Sequence, residues 1–494
     1  MPTPPQVRVR IRRVALACLL AAWAFTAWWQ GHKPLPEGTH IASAACAVAD
    51  DEVSFIADIT ASDAFGHALT SQGIFDAVLA TVRGARHFIV LDYRAFGDAA
   101  DPDAQPQRRI SEELTGELLA RLSAQPDLKI LFITDPSIER HGSQPAPQLE
   151  RLRAAGVSVV RTDLDRLRDS NTAYSSLWRL AVRWWDTPAG AFGFEGRRLN
   201  FKANDRQLII ADDGRGGLVS VLGSANPSDH ESAWSNVALR VEGGALSALL
   251  ASELAVARFS GWDGNSDAFG VSSGARPAAS SPCASPGAAR AGVARVSSVQ
   301  LLSEGAIQSA LLTRVDATAS TDAIEVAMYR LADRGVIEAL LAAARRGVAV
   351  RLILDPNEGA SSGGAAGIPN QVAGSELVSR SGGAIHVRWY RTHGERFHSA
   401  LVMIYGPTRA WVLAGSATLT SRSLADFNLV ADAAVDTESG SALAQQSLGY
   451  FEALWSNRAA LGIEYTADFA AFADPSQSDY WLYRLMEASG ASGF

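Results

Sequence analysis

The chain has 494 residues and a net charge of −8, with 47% apolar and 19% charged residues. It is too long for one hydrophobic core and apolar enough to fold along most of its length. The acidic balance, without a long basic run, argues against a protein built mainly to grip nucleic acid, so no nucleic acid partner is expected. It leaves room for a small anion pocket.

The first element is "RVRIRR" (Arg8 to Arg13) followed by "VALACLLAAWAFTAWW" (Val14 to Trp29). A charge-free apolar run behind a basic cluster predicts a transmembrane helix, with the Trp pair at the membrane interface. The expected arrangement is an uncleaved single-pass anchor in the inner membrane. The arginines stay in the cytoplasm and the main body lies in the periplasm. A cleaved signal peptide, and hence secretion, is the alternative, with "ASA" (Ala42 to Ala44) as a cleavage site. Residues 1–33 are assigned to this stub and anchor, and residues 34–50 to a polar tether. Cys18 lies in the anchor. Cys46 and Cys283 could pair in an oxidising compartment. No cysteine has metal-ligand spacing, so no zinc site is expected, and no motif in the sequence asks for a cofactor.

Two halves follow, residues 51–262 and 298–494. A Gly/Ala/Ser/Pro-rich linker, 263–297, separates them. The halves repeat each other in outline. Each opens with a helical pattern and an apolar strand: "GIFDAVLATVRGA" then "HFIVLDY", and "IQSALLTRVDAT" then "AIEVAMY". After another helix comes a strand that stops at Asp-Pro: "LKILFITDP" (Asp135) and "VAVRLILDP" (Asp355). A further helix and strand lead to two strands with a Gly-Ser-Ala turn and then an asparagine, Asn236 or Asn428. Residues 177–185, "LWRLAVRWW", have helical spacing and read as core, with a lipid-facing surface as the alternative. The tail "SDYWLYRLMEASG" predicts a C-terminal helix that packs back on the body. Buried strands interleaved with amphipathic helices define an α/β class with covered sheets.

The spacing around the two turns carries the chemical signal. Asp205 precedes Gly223 by 18 residues and Asn236 by 31; His398 precedes Gly415 by 17 and Asn428 by 30. This pattern resembles the phospholipase D superfamily, and the bacterial cardiolipin-synthase-like members in particular. Their halves each carry a His-x-Lys-x4-Asp strand followed by Gly-Ser-x-Asn. "THGERFHSALVMI", "GIPNQVAGSEL" and "SNVALR" extend the likeness. The resemblance implies two pseudo-symmetric α/β/α halves packed as a bilobal unit behind the transmembrane helix. It also implies one active site between the halves, a phosphohistidine intermediate, and no metal.

The motif positions depart from that pattern. In the first half they read Asp205, Gln207 and Asp212, and only the acid is kept. In the second they read His398, Ala400 and Tyr405, and only the histidine is kept. A shifted register, Asn200, Lys202 and Gln207, keeps a lysine but loses the spacing to the turn. Gly223-Ser224-Ala225-Asn226 is intact, whereas Thr418 replaces the second asparagine after Ser416. Each lost electrostatic donor costs about 2.7–4 kcal/mol of barrier.

His398, Asp205 and Asp212 are therefore the catalytic candidates. Gln207, Ser224, Asn226, Ser416 and Thr418 are the phosphate-binding candidates. Asp212 also has a plain reading as a strand-end turn, and Ser224 and Ser416 as turn residues. Glu395 could orient His398, and Lys202 reads as a surface cation. Asp135 and Asp355 read as turn initiators. The expected function is a membrane-anchored protein that acts on or binds phospholipid phosphodiesters, with a degenerate site and weak or absent catalysis. The alternative is an active phosphatidyltransferase or phospholipase D that uses His398. Its partners would be phospholipid or a membrane surface, or an active paralogue.

Overall fold

The computed structural model describes residues 5–63, 65, 67–97, 108–136, 146–182, 202–271, 283, 296–358, 366–457, 462–490 and 492–494. Asn200 of the shifted register, Trp184 and Trp185 lie outside these. So does most of the Gly/Ala/Ser/Pro-rich stretch.

The strands in chain order are β1 (Cys46–Ala49), β2 (Val53–Ser62), β3 (Ala68–Ser71), β4 (Phe88–Tyr93), β5 (Lys129–Thr134) and β6 (Ser158–Arg161). Then come β7 (Leu208–Asp212), β8 (Leu218–Gly223), β9 (Asn236–Glu242), β10 (Val296–Ser303), β11 (Ala323–Met328) and β12 (Ala349–Leu354). The last are β13 (Ile385–Tyr390), β14 (Ala400–Tyr405), β15 (Arg409–Gly415), β16 (Ala431–Glu438) and β17 (Thr466–Asp468). They form two mixed sheets, β3-β2-β9-β8-β7-β4-β5-β6 and β1-β10-β16-β15-β14-β11-β12-β13-β17. Between the edges, β2-β9-β8-β7-β4-β5-β6 and β10-β16-β15-β14-β11-β12-β13 are the same arrangement made twice.

Both faces of these sheets are buried, which is why the strands read as continuous apolar runs. In β7, Leu208 and Ile210 enter a core shared by the two halves, while Ile209 and Ala211 face an outer layer. In β14, Leu401 and Met403 enter the shared core, while Val402 and Ile404 face the outer layer of the second half. The helices Ser247–Phe259 and Ala442–Ser456 contribute Leu250, Leu254, Phe451 and Leu454 to the shared core.

Both Gly-Ser-Ala turns need their glycine. A methyl group on Gly223 would come 2.6 Å from Ala238 Cβ, and one on Gly415 would come 2.5 Å from Asp432 Cα. The next strand passes too close for any side chain.

The N-terminal helix Pro5–His32 contains a segment, Val9–His32, long and apolar enough to cross a bilayer. The stretch 34–50 is not the free polar tether expected from its sequence. Thr39, Ile41 and Val48 are buried. β1 pairs antiparallel with β10 at the edge of the second sheet. Cys46 in β1 forms a disulfide with Cys283, with a Cα separation of 5.1 Å.

Arg206 sits one residue after Asp205, with its side chain in the shared core and no exposed surface. Its guanidinium donates to Glu253 Oε1 at 2.9 Å and Ser252 Oγ at 2.8 Å, both in the first half. It also donates to Glu304 Oε1 of the second half at 3.0 Å and to Thr39 O at 2.8 Å. Arg206→Ala would leave two carboxyl groups buried without their cation. It should cost about 3–5 kcal/mol, read as a lower denaturation midpoint of the detergent-solubilised chain.

Candidate functional site

The two motif positions enter the centre by matching routes. Asp135 Oδ2 accepts from Asn204 N at 2.7 Å, and Asp355 Oδ2 accepts from Phe397 N at 2.8 Å. Each Asp-Pro aspartate thus holds the residue just before a motif position, so turn initiation alone does not explain them. The halves then cross. Asp205 N donates to Leu429 O, and His398 N donates to Ser235 O, both at 2.8 Å. Asn428 Oδ1 accepts from Ala203 N at 3.0 Å, and Asn236 Oδ1 lies 3.2 Å from His398 Nδ1. Each asparagine reaches from its own half into the other.

His398 is the best-defined member of the site. Its Nδ1 lies 2.7 Å from Ser224 O. A carbonyl oxygen only accepts, so Nδ1 carries the proton and Nε2 keeps its lone pair. Tyr329 and Trp234 pack against the ring at centroid distances of 4.7 and 5.2 Å. Burial pushes the imidazole down to about 3, and the charges of Arg396, Arg94 and Arg330 push the same way. The ring is neutral at pH 7, as a nitrogen nucleophile must be.

Those arginines were not singled out by the sequence motif, and they gather positive charge around His398. Arg94 pairs with Asp205 at 3.2 Å. Arg396 donates to Tyr329 Oη at 3.0 Å and stacks over Trp234 at 4.7 Å. Arg422 is buried, and Arg330 and Arg94 further disfavour its cation. Like charges gathered this closely favour an anion among them. A signal was present: Arg94 follows Tyr93, the last residue of β4, and Arg330 follows Tyr329, the residue just after the matched β11.

Glu231 is the second unanticipated member. It accepts from Asn226 Nδ2 at 2.9 Å. Burial pushes its carboxyl up to about 7, against the pull of Asn226, Arg94 and Arg396. Its carboxyl is poised to hold a proton near neutrality.

The other expected site residues divide. Asp205 joins the site, but both its oxygens accept, from Arg94 and from Gln207 Nε2 at 3.0 Å. It is a structural anion rather than a bare charge set against substrate. Gln207 positions Asp205. Asp212 is not in the site. It lies seven residues along the chain from Asp205, roughly 23 Å of extended backbone. There it accepts from the backbone N–H groups of Arg86, His87 and Phe88. Ser224 and Ser416 are engaged by the neighbouring strands, their hydroxyls accepting from Val237 N and Ala431 N at 3.1 Å. Ser224 contributes its carbonyl to the site instead. Thr418 meets the hydroxyls of Thr420 and Ser423 at 3.2 and 3.1 Å. Asn226 holds Ala95 N at 3.2 Å as well as Glu231. Glu395 turns to His393, accepting its N–H at 2.9 Å, and does not orient His398. Lys202 is not a surface cation, since its ammonium is buried against Asp169 and Leu167 O.

The duplicated α/β body brings one oriented histidine, His398, to the seam between its halves. Residues 315–455 match the family model described as the cardiolipin synthase, phospholipase D-like domain. The phosphatidylserine synthase of Haemophilus influenzae Rd KW20 aligns with a TM-score of 0.52 at 9% identity, covering 90% of this chain and 94% of that one. Nuc, a phospholipase D family member from Salmonella typhimurium, aligns with a TM-score of 0.26 at 21% identity, covering 35% of this chain and 97% of its own. No curated protein matches the chain by sequence. Residues 315–455 thus carry a phospholipase D-like domain, and the chain as a whole shares the fold of that phosphatidylserine synthase.

The neutral His398 has a consequence for stability. Its proton binds at about 3 in the fold and at 6.5 in the unfolded chain. Between these values the unfolded state holds more protons, so stability rises with pH and is lost as pH falls from 6.5 toward 3. His398→Gln should remove part of that acid-side slope, read from denaturation midpoints across the window.

Proposed function

We propose that this chain is a membrane-anchored phosphodiester-transfer enzyme that acts on phospholipid headgroups through His398. The observation that carries this reading is the Nδ1 proton held by Ser224 O, which leaves Nε2 free to attack. In the first step Nε2 forms a bond to phosphorus, and the bond from phosphorus to the leaving alcohol breaks. Glu231 gives its proton to the departing oxygen. In the second step an acceptor alcohol or water attacks phosphorus and returns a proton to Glu231, which releases His398. Arg94, Arg330, Arg396 and Arg422 stabilise the charge on the phosphoryl oxygens in both steps.

The Cys46–Cys283 disulfide supports a body outside the cytoplasm. The basic cluster before the apolar helix supports an inner-membrane anchor with its N-terminus inside. A second reading, a binder of phospholipid headgroups without turnover, is favoured by Asp205 at the position of a paired histidine.

Incubation of the full chain in phosphatidylglycerol and phosphatidylethanolamine vesicles separates the two. Released or exchanged headgroup that disappears in His398→Ala supports the enzyme. Equal background in both proteins leaves only the binder. If Glu231 is the acid, the rate should fall as pH rises through about 7. Glu231→Gln should then lower kcat more than KM and flatten that limb of the profile. An unchanged profile would remove Glu231 from the mechanism.

A further inference from the structure

The C-terminal helix Gln477–Ser489 buries one side and leaves the other bare. Tyr483 is fully buried and donates to Ala332 O at 2.8 Å, next to Ile368, Val372 and Phe494. On the outward side, Trp481 is 67% exposed, Leu482 41% and Leu485 66%. Trp481 and Leu482 stand four and three residues before Leu485, and the three form one apolar stripe. A contiguous patch of this kind marks a partner.

The location of the helix indicates which partner. A side chain on Gly490 would collide with the backbone of Ser170, so the helix ends against Ser170 and Asn171. Asn171 caps the short helix Thr172–Leu177. That helix lies along the anchor. Trp23 Nε1 donates to Ala173 O at 3.0 Å, and Asp169 N donates to Gln30 O at 2.9 Å. The apolar segment Val9–His32 has 24 residues, about 36 Å of helix against a hydrocarbon core of about 30 Å. Trp23 therefore falls inside the bilayer or at its edge, and the body cannot stand clear of the membrane. Leu177 and Leu180, 56% and 43% exposed, extend the bare apolar surface beside the anchor. The same C-terminal segment touches the site, because Arg422 donates to Gly490 O at 3.0 Å and Arg330 to Gly493 O at 2.7 Å.

We infer that Trp481, Leu482 and Leu485, with Leu177 and Leu180, rest in the lipid surface that holds the anchor, and so present the arginine-lined site to phospholipid headgroups. The inference depends on the anchor reading but not on turnover.

The test uses the full chain in phosphatidylethanolamine/phosphatidylglycerol vesicles, with Cys18→Ser as background. A polarity-sensitive fluorophore is placed at Leu485→Cys, and at Ser309→Cys on an exposed helix of the second half as control. Lipids with a doxyl quencher near the headgroup should quench the label at 485 and spare the one at 309. Aqueous iodide should do the reverse. Iodide quenching at both positions would overturn the inference. So would a 485 label shielded from both quenchers, which would mean that protein covers the stripe. A chain that washes off at alkaline pH would overturn the anchor and the inference together. None of these readouts depends on whether His398 turns over substrate.

Discussion

A guanidinium sealed from water must find an acceptor for each of its charges and donors, and Arg206 finds most of them by drawing together three separate parts of the chain. Glu253 comes from the first half, Glu304 from the second, and Thr39 from the segment behind the anchor. Strand geometry gives this network its reach. Neighbouring residues point to opposite faces, so Arg206 faces the shared core while Asp205 and Gln207 turn to the site. A slip of one residue would drive the guanidinium into the outer apolar layer and carry Asp205 out of the site. The network that registers one half against the other therefore also registers the chemistry.

The seam between the duplicated halves gathers arginines from strand ends and connections, while the strand positions of the motif carry Gln207 and Ala400. The asymmetry follows from which half supplies what. The second half brings the histidine. The first brings its acceptor, Ser224 O, its neighbour Asn236, and the acid Glu231. At the symmetric position Asn428 holds only backbone. A symmetric fold thus carries an asymmetric set of side chains at its seam.

Much of this was legible before any coordinates. The paired apolar runs, the matched distance to each glycine turn and the long apolar N-terminal helix are local patterns, and local patterns survive in one dimension. The Cys46–Cys283 pair could be named because so few cysteines compete. Motif position pointed to His398 because two strands repeat. For Asp212 the plainer reading, a strand-end turn, matches its contacts, since its carboxylate accepts backbone N–H groups at the far end of β7. Lys202 and Glu395 misled: whether a charge is buried, and against what, depends on segments far away in sequence. The arginine cluster is the extreme case. Arg94, Arg330, Arg396 and Arg422 come from four connections, and only the fold makes them neighbours.

The disulfide has a topological effect separate from its contribution to stability. Cys46 and Cys283 are 237 residues apart, and the chain between them contains every strand of the first half. That half is therefore a covalently closed ring, tied to the N-terminal helix at one point. A single break anywhere within the ring would release nothing, because both ends would stay fastened to that helix. The second half hangs outside the ring, so one break between Cys283 and β10 would cut its only covalent tie. It would then be held by the β1–β10 pairing, by the Arg206 network and by the core the two halves share.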